Sequence, residues 1–467
     1  MTGHSGPRRR ALLDPILMMI AVIAATVALT YVVPAGKFAR HDGLVVAGTY
    51  KEIPKIGGFV ALAATSTKPT DPKSPVAHAA GLLSAFASVP TGLALNAGLI
   101  INVLLVGGMF SVLRKTGAVD AGVDRLIHLT AGNNAVLISA LMVILAAGSS
   151  FFGFANEYLV LIPMLGLVGD RLGYERLFAL AVVGVAAKVG YMTSITNPLA
   201  LVIAQPLVHV PLFSGMAYRA GIFAIFIAIG IGYVLYVIRP VRAAMPSTLE
   251  QSAPLSVRHK MVLLSLLCAS VVMVIGFVKW NWGVDSLSTF YVFFTFVFAI
   301  VGRLDAVTSA DAFMDGLRSM MLAALLIGLA GSVQYLLQSS FVLDTLVFDA
   351  TSMLRGLPSG VSAVGLMVIE MVLGVLVPST SGKVAMSMPI LAPIAQLAGV
   401  TGQTTVLAFV LGNGLTNMIS PTTGLLLAYV ATAKVSFGDW FKFVAPLFGA
   451  LFLLSSVALG VAVLIGY

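Results

Sequence analysis

Apolar runs of the roughly 20 residues needed to cross a bilayer recur along the chain at 14–34, 94–113, 218–238, 260–278, 286–302, 317–337 and 442–466. Four other apolar stretches are interrupted midway. Residues 135–169 and 360–397 are broken by small polar residues or proline, while 177–210 and 404–434 are broken by Thr193-Ser194-Ile195-Thr196-Asn197-Pro198 and by Asn417-Met418-Ile419-Ser420-Pro421-Thr422-Thr423-Gly424. Reading the first pair as re-entrant helical hairpins and the second as broken transmembrane helices assigns every loop a side. The two sets also repeat one another. Residues 113–120 parallel 337–344, and each is followed by an amphipathic stretch ending near Gly132 or Gly356 that reads as an arm helix on the membrane surface. Five crossings separate the hairpins, and an odd number inserts them from opposite faces. The pattern predicts an all-α polytopic membrane protein with two inverted-topology repeats. These are 14–238 (hairpin 135–169, broken helix 177–210) and 286–466 (hairpin 360–397, broken helix 404–434). A basic tail (1–13) precedes them, and a cytoplasmic linker (239–259) and a linking span (260–278) join them.

Composition agrees with this class. Hydrophobic residues make up 59% of the chain and charged residues 10%, against about 25% charged in soluble domains; mean hydropathy is +1.03. The net charge of +9 reflects topology rather than nucleic-acid binding, because basic residues flanking apolar spans orient a membrane protein. Arg8, Arg9, Arg10, Arg114, Lys115, Arg171, Arg176, Arg258 and Arg303 fall on one side. Lys37, Arg40, Lys51, Arg219 and Lys279 fall on the other, which puts the N-terminus in the cytoplasm. The first span lacks a small-residue cleavage site and is read as retained. Cys268, the one cysteine, excludes an internal disulfide and a cysteine metal cluster. Trp280, Trp282 and Trp440 fit interfacial anchors. The loop from about 37 to 90 looks polar and flexible.

Four ionisable residues remain inside the spans, and such charges default to a functional reading. Glu157 lies six residues before Pro163 and Lys383 six before Pro389, at equivalent places in the two hairpins. Lys188 precedes the first helix break, where it either snorkels to the surface or reaches the site. Glu370 reads chiefly as a structural partner. Unwound backbone inside a membrane needs protein, water or ligand to satisfy it, and half-helix ends with free carbonyls and hydroxyls are where secondary transporters bind solutes and ions. The first half-site is therefore Ser149, Ser150, Asn156 and Glu157 with Thr193, Ser194, Thr196 and Asn197. The second is Ser379, Thr380, Ser381 and Lys383 with Asn413, Thr416, Asn417, Ser420, Thr422 and Thr423. Of these, Lys383, Glu157, Asn156, Ser379, Thr380, Ser381, Thr196, Asn197, Asn417 and Thr422 are assigned to solute. Glu157, Ser149, Ser150, Thr193, Ser194, Asn413, Thr416, Ser420 and Thr423 are assigned to ion coupling.

The segments Pro378-Ser379-Thr380-Ser381-Gly382-Lys383-Val384-Ala385-Met386-Ser387-Met388-Pro389 and Leu411-Gly412-Asn413-Gly414-Leu415-Thr416-Asn417-Met418-Ile419-Ser420-Pro421-Thr422 resemble the YfcC-like branch of the anaerobic C4-dicarboxylate carrier (DcuC) family, within the ion transporter superfamily. The resemblance implies two inverted repeats, paired hairpins, a homodimer and an elevator-like motion. In Na⁺-coupled dicarboxylate members each hairpin tip carries Ser-Asn-Thr. Here the second tip has Ser379-Thr380-Ser381 in that place and the first has Gly153-Phe154-Ala155, so carboxylate chemistry at Glu157 would replace the first Na⁺ site.

The expectation is a secondary active transporter of small organic anions, C4-dicarboxylates or related carboxylates, coupled to Na⁺ or H⁺ or run as an exchanger. The alternative is an amino acid transporter or antiporter, including one for basic amino acids, in which Glu157 and Lys383 clamp the amine and the carboxylate. No catalytic residues and no cofactor are expected. The expected partners are the solute, the lipid bilayer and a second copy of the chain, with no nucleic acid, in a bacterial inner membrane. An intramembrane enzyme would need a Ser-His or paired-Asp set at span centres, which the chain does not offer. A channel differs from a transporter in that it cannot accumulate solute.

Overall fold

The structure is a computed structural model describing residues 15–41, 44–58, 61, 76–119, 121–122, 133–155, 158–159, 161–239, 256–280, 282, 284–354, 356–377 and 379–467. The helix α1 (Pro15–Val32) leads into short strands. Of these, β1 (Ala35–Lys37) pairs antiparallel with β4 (Lys51–Ile53), β2 (Arg40–His41) with β3 (Leu44–Val45), and β5 (Lys55–Ile56) runs parallel to β6 (Ala77–His78). Next come α2 (Leu82–Leu95), α3 (Ala97–Lys115), α4 (Asn134–Phe152), α5 (Leu161–Arg171), α6 (Leu177–Thr193), α7 (Pro198–Leu207) and α8 (Met216–Val237). The chain continues through α9 (Val257–Lys279), α10 (Val284–Val301), α11 (Ala306–Ser339), α12 (Val342–Ser352) and α13 (Ser359–Leu376). It ends with α14 (Thr380–Leu397), α15 (Gly402–Ile419), α16 (Gly424–Thr432) and α17 (Phe437–Leu464).

Both predicted breaks are present. Between α6 and α7 the backbone leaves the helix at Ser194, whose φ of 41° is left-handed, a conformation that a non-glycine residue adopts at a cost; Pro198 then starts α7, where its missing N–H matters least. Between α15 and α16 the gap is Ser420-Pro421-Thr422-Thr423. Each interrupted apolar stretch ahead of a break is also two helices, α4 with α5 and α13 with α14. Gly153, with φ 77°, ends α4, and the Tyr158 hydroxyl reaches back to Leu145 O at 2.6 Å, so the chain reverses there. Ser379 begins α14 by accepting from Gly382 N at 3.3 Å, as an N-cap hydroxyl does.

The two broken helices form the centre. Buried residues run along α6 from Phe178 to Thr193 and along α15 from Thr404 to Met418, as expected of helices apolar on all sides. The packing is reciprocal: α6 lies against α4 and α8, α15 lies against α13 and α17, and α6 and α15 lie against each other. Glycines permit these approaches. A Cβ on Gly190 would stand 2.2 Å from Ala146 O, one on Gly412 2.5 Å from Met367 O, and one on Gly414 2.2 Å from the Met192 Cβ. The long α11 runs beside α1, α2 and α3, with Gly316 against Gly107. Among the described residues six helices (α3, α4, α8, α11, α13 and α17) are long and apolar enough to cross a membrane. Outer faces such as Phe293, Phe296 and Ile300 of α10 and Leu453, Val457 and Leu464 of α17 are exposed and apolar, suited to lipid.

Four readings change. The run at 94–113 belongs to a longer unit in which α2 precedes α3 and the join falls at Asn96. The loop expected to be flexible is ordered over much of 35–58 and docks on α12. Gly36 N donates to Phe341 O (2.9 Å), Arg40 pairs with Asp344 (2.7 Å), and Tyr50 stacks on Phe348 at 4.2 Å between ring centroids. Its Ser66–Lys73 segment is outside the described residues. Trp440 is no interfacial anchor: it is fully buried against Gly184 and its indole N–H donates to Met418 O at 3.0 Å. Arg219, placed at a loop edge by the hydropathy pattern, is fully buried. Cys268 is exposed on α9, which agrees with a lipid-facing position. The basic tail, most of the cytoplasmic linker and most of the first arm stretch are outside the described residues, whereas the second arm stretch is α12.

Candidate functional site at the helix breaks

The second half holds the charged chemistry. Lys383, in the first turns of α14, is 0% exposed. Its ammonium donates to Asn413 Oδ1 on α15 at 2.8 Å and to the Glu370 carbonyl on α13 at 3.1 Å, and lies 3.5 Å from the Glu370 carboxylate. The Phe409 ring, centred 5.3 Å from Nζ, closes another side. The Asn413 amide nitrogen then donates to Tyr191 OH (2.9 Å) and to Thr380 Oγ1 (3.1 Å), and those two hydroxyls are 2.8 Å apart. Thus α6 of the first half meets α13, α14 and α15 of the second in one buried polar cluster.

Around it the predicted hydroxyls mostly hold backbone. Thr416 donates to Met371 O at 2.9 Å, and Thr422 donates to Val375 O at 2.5 Å. Ser420 and Thr422 share a hydrogen bond of 2.7 Å, and Thr423 reaches Asn417 Oδ1 at 3.4 Å. Ser379 is an N-cap, and Ser381 lies in the first turn of α14.

Among the described residues the first half repeats this frame with hydroxyls and without an ammonium–carboxylate pair. Ser149 donates to Ala187 O (2.8 Å), joining α4 to α6, while Ser150 Oγ bonds Thr193 (3.1 Å) and accepts from Ile195 N (3.0 Å) in the break. Thr196 donates to Phe151 O at 3.0 Å, the counterpart of Thr422 on Val375 O. Ser194 donates to Tyr191 O, and Asn197 donates to Ser194 Oγ at 3.2 Å. Arg219 of α8 donates to Ile195 O (3.1 Å), Ser214 O (2.8 Å) and Tyr467 OH (3.1 Å), so a guanidinium ties one carbonyl of this break to the turn before α8. Asn156 and Glu157 lie outside the described residues, and their predicted roles with them. Lys188 does not snorkel. It is 3% exposed, its ammonium lies 5.4 Å from the centre of the Tyr429 ring, and among the described residues it has no ion-pair partner. Tyr429 in turn donates to Ala155 O at the first tip.

The structure therefore joins Lys383, Thr380 and Asn413, and separately joins Ser150, Thr193 and Thr196. Three contributors had no place in the predicted half-sites. Tyr191 looks like one more aromatic in an apolar run, and Arg219 sits at the start of a span. Glu370 is read from the sequence as a structural partner, and its charge inside an apolar helix was signal enough for that; the partner it finds is Lys383.

Comparison with known proteins follows this geometry. The C4-dicarboxylate anaerobic carrier family, DcuC, matches residues 13–464. The chain belongs to this family. Within reach of it, an Escherichia coli K12 protein named "Putative basic amino acid antiporter YfcC" is 31% identical over 79% of this chain and 78% of its own length. An uncharacterized Haemophilus influenzae protein is 25% identical over 96% of each chain. Among solved structures, the YdaH transporter of Alcanivorax borkumensis is similar at a TM-score of 0.46 and 16% identity, over 97% of this chain and 99% of its own. MtrF of Neisseria gonorrhoeae is similar at 0.40 and 16%, over 96% and 94%. As a DcuC member with six apolar helices of spanning length, the chain is an integral membrane transporter.

Proposed function

We propose that this DcuC member exchanges amino acids, basic ones among them, across the bacterial inner membrane, as a secondary transporter built from two inverted repeats with re-entrant hairpins. The observation that carries the reading is the charge balance at the buried cluster. Lys383, expected to attract a dianion, stands 3.5 Å from Glu370 and is largely neutralised by it. Such a site suits a solute that brings both charges. Its ammonium or guanidinium would go to Glu370, and its carboxylate to Lys383 or to Lys188, which lies on α6 one turn before Tyr191 and has no acid among the described residues. The name of the E. coli relative supports the same class. A C4-dicarboxylate remains the second reading, favoured by the family's description and by Lys188 and Arg219, two buried cations without an acid among the described residues. Lysine-rich and arginine-rich loops on one side support a cytoplasmic N-terminus.

Counterflow in proteoliposomes tests this. Vesicles preloaded with arginine or lysine should concentrate external labelled arginine, whereas concentration of labelled succinate only with succinate inside would replace the amino acid reading with the dicarboxylate one. Sidedness is checked with an impermeant maleimide on intact cells, in a Cys268→Ser background. Lys37→Cys should label and Arg303→Cys should not; the opposite pattern would reverse the assigned orientation.

A further inference from the structure

Glu370 is buried to 1% exposure, yet among the described residues neither carboxylate oxygen has a donor in close hydrogen-bond geometry. Lys383, the cation beside it, stays at 3.5 Å, well beyond the approximately 2.7–2.9 Å of a charge-assisted bond. Lys383 gives its protons instead to the Glu370 carbonyl and to Asn413. Ser387 donates to Lys383 O at 2.9 Å and stands beside this carboxylate. A buried carboxylate without a close donor is costly.

The oxygens around Lys383 Nζ nevertheless form a recognisable set: a carboxylate, a peptide carbonyl and an amide oxygen, with the Phe409 ring face on another side. Those are the groups that bind an organic cation. Gly374 keeps the space open, since a Cβ there would stand 3.1 Å from the ammonium and 3.0 Å from the Thr416 methyl. Lys383 lies four residues after the N-cap Ser379, on the helix that starts at the second tip, and Gly382 beside it is exposed and borders a cavity of about 380 Å³ that Arg40 and Asp344 also line.

We propose that Glu370, its own carbonyl and Asn413 form a site for the ammonium or guanidinium group of the solute, and that Lys383 fills it as a built-in substitute when no solute is bound. Solute and Lys383 compete for one carboxylate, so the loaded and unloaded sites carry the same balance of charge. The empty carrier is then never left with a bare buried carboxylate, and exchange of one cationic group for another follows from the competition. This inference rests on the amino acid reading above.

The test uses purified full-length protein in detergent, with agmatine as a probe that has a guanidinium and an amine but no carboxylate. Ligand binding to the folded state is read as a rise in melting temperature. Lys383→Met removes the competitor and keeps the apolar stem, so the apparent affinity for agmatine should rise about tenfold or more. Glu370→Gln should abolish agmatine binding. The double variant Glu370→Gln/Lys383→Met removes both charges together, and it should fold and also fail to bind agmatine, which covers the case in which Glu370→Gln alone does not fold. Unchanged or weaker agmatine binding by Lys383→Met, or agmatine binding by the double variant, overturns the proposal. Wild-type counterflow separates the two claims: wild type exchanging arginine while these variants bind agmatine as wild type does sinks the substitution alone. Exchange of succinate only sinks the amino acid reading and this inference with it.

Discussion

The two broken helices are set in the same frame and carry different chemistry. In both halves a glycine of the broken helix lies against a carbonyl of the preceding helical arm, Gly190 on Ala146 O and Gly412 on Met367 O. In both a threonine of the break donates to the end of that arm, Thr196 to Phe151 O and Thr422 to Val375 O. Beyond this frame they diverge. The first break, as described, is held by hydroxyls and by the guanidinium of Arg219. The second is flanked by an ammonium, a carboxylate and an amide. Architecture is thus shared between the halves, whereas among the described residues the buried ammonium–carboxylate pair lies in the second, with Tyr191 as the first half's contribution to its cluster.

The largest effect should separate the halves. Lys383→Ala strands the fully buried Glu370 charge, and removing one partner of a buried pair costs about 3–5 kcal/mol; Glu370→Gln/Lys383→Met should recover most of this. Melting temperatures of the purified proteins would show it, and a double variant no more stable than Lys383→Ala would remove the pair from its central place. Next comes the guanidinium tie at the first break. Arg219→Ala withdraws hydrogen bonds from Ile195 O and Ser214 O, with an expected loss of about 2–3 kcal/mol from bonds of a charged donor. Arg219→Lys should restore part of it in the same melting experiment. The shared frame predicts a third, symmetrical result. Gly190→Ala and Gly412→Ala each force a methyl into a carbonyl and should each cost about 1–3 kcal/mol, and a strong asymmetry between them would break the equivalence of the halves. The smallest effect belongs to Thr196→Val and Thr422→Val, each losing one hydroxyl-to-carbonyl bond worth about 1 kcal/mol, measured as a small equal drop in melting temperature.

The interruptions of the apolar runs were legible because they violate a simple rule: polar residues and prolines inside apolar runs have to be explained. Ser194, Thr196, Ser420 and Thr422 stand at real gaps for that reason. What the pattern concealed was pairing. Lys383 and Glu157 are matched by repeat position, but the described partner of Lys383 is Glu370, which is 13 residues away in sequence and faces it across α13 and α14. A repeat relates residues of equal place, whereas a contact joins residues of opposite need. Arg219 and Trp440 were misjudged by their positions at the edges of spans, where hydropathy alone cannot tell a lipid interface from a polar pocket inside the protein. The loop after α1 shows the same limit, since its polar composition hid the anchor that Asp344 offers to Arg40 and to Phe38 N.

The seam between α6 and α15 limits how the molecule can move. Gly414 lets Met192 lie almost on the opposing backbone, and the Tyr191 phenol is tied to Asn413 and Thr380 across the same seam. Any movement that parted the broken helices would open a tightly fitted surface and take the Asn413 partner from the buried Tyr191 phenol. The inexpensive course in any motion is for the two broken helices to stay together as a single piece, to which both halves of the chain belong.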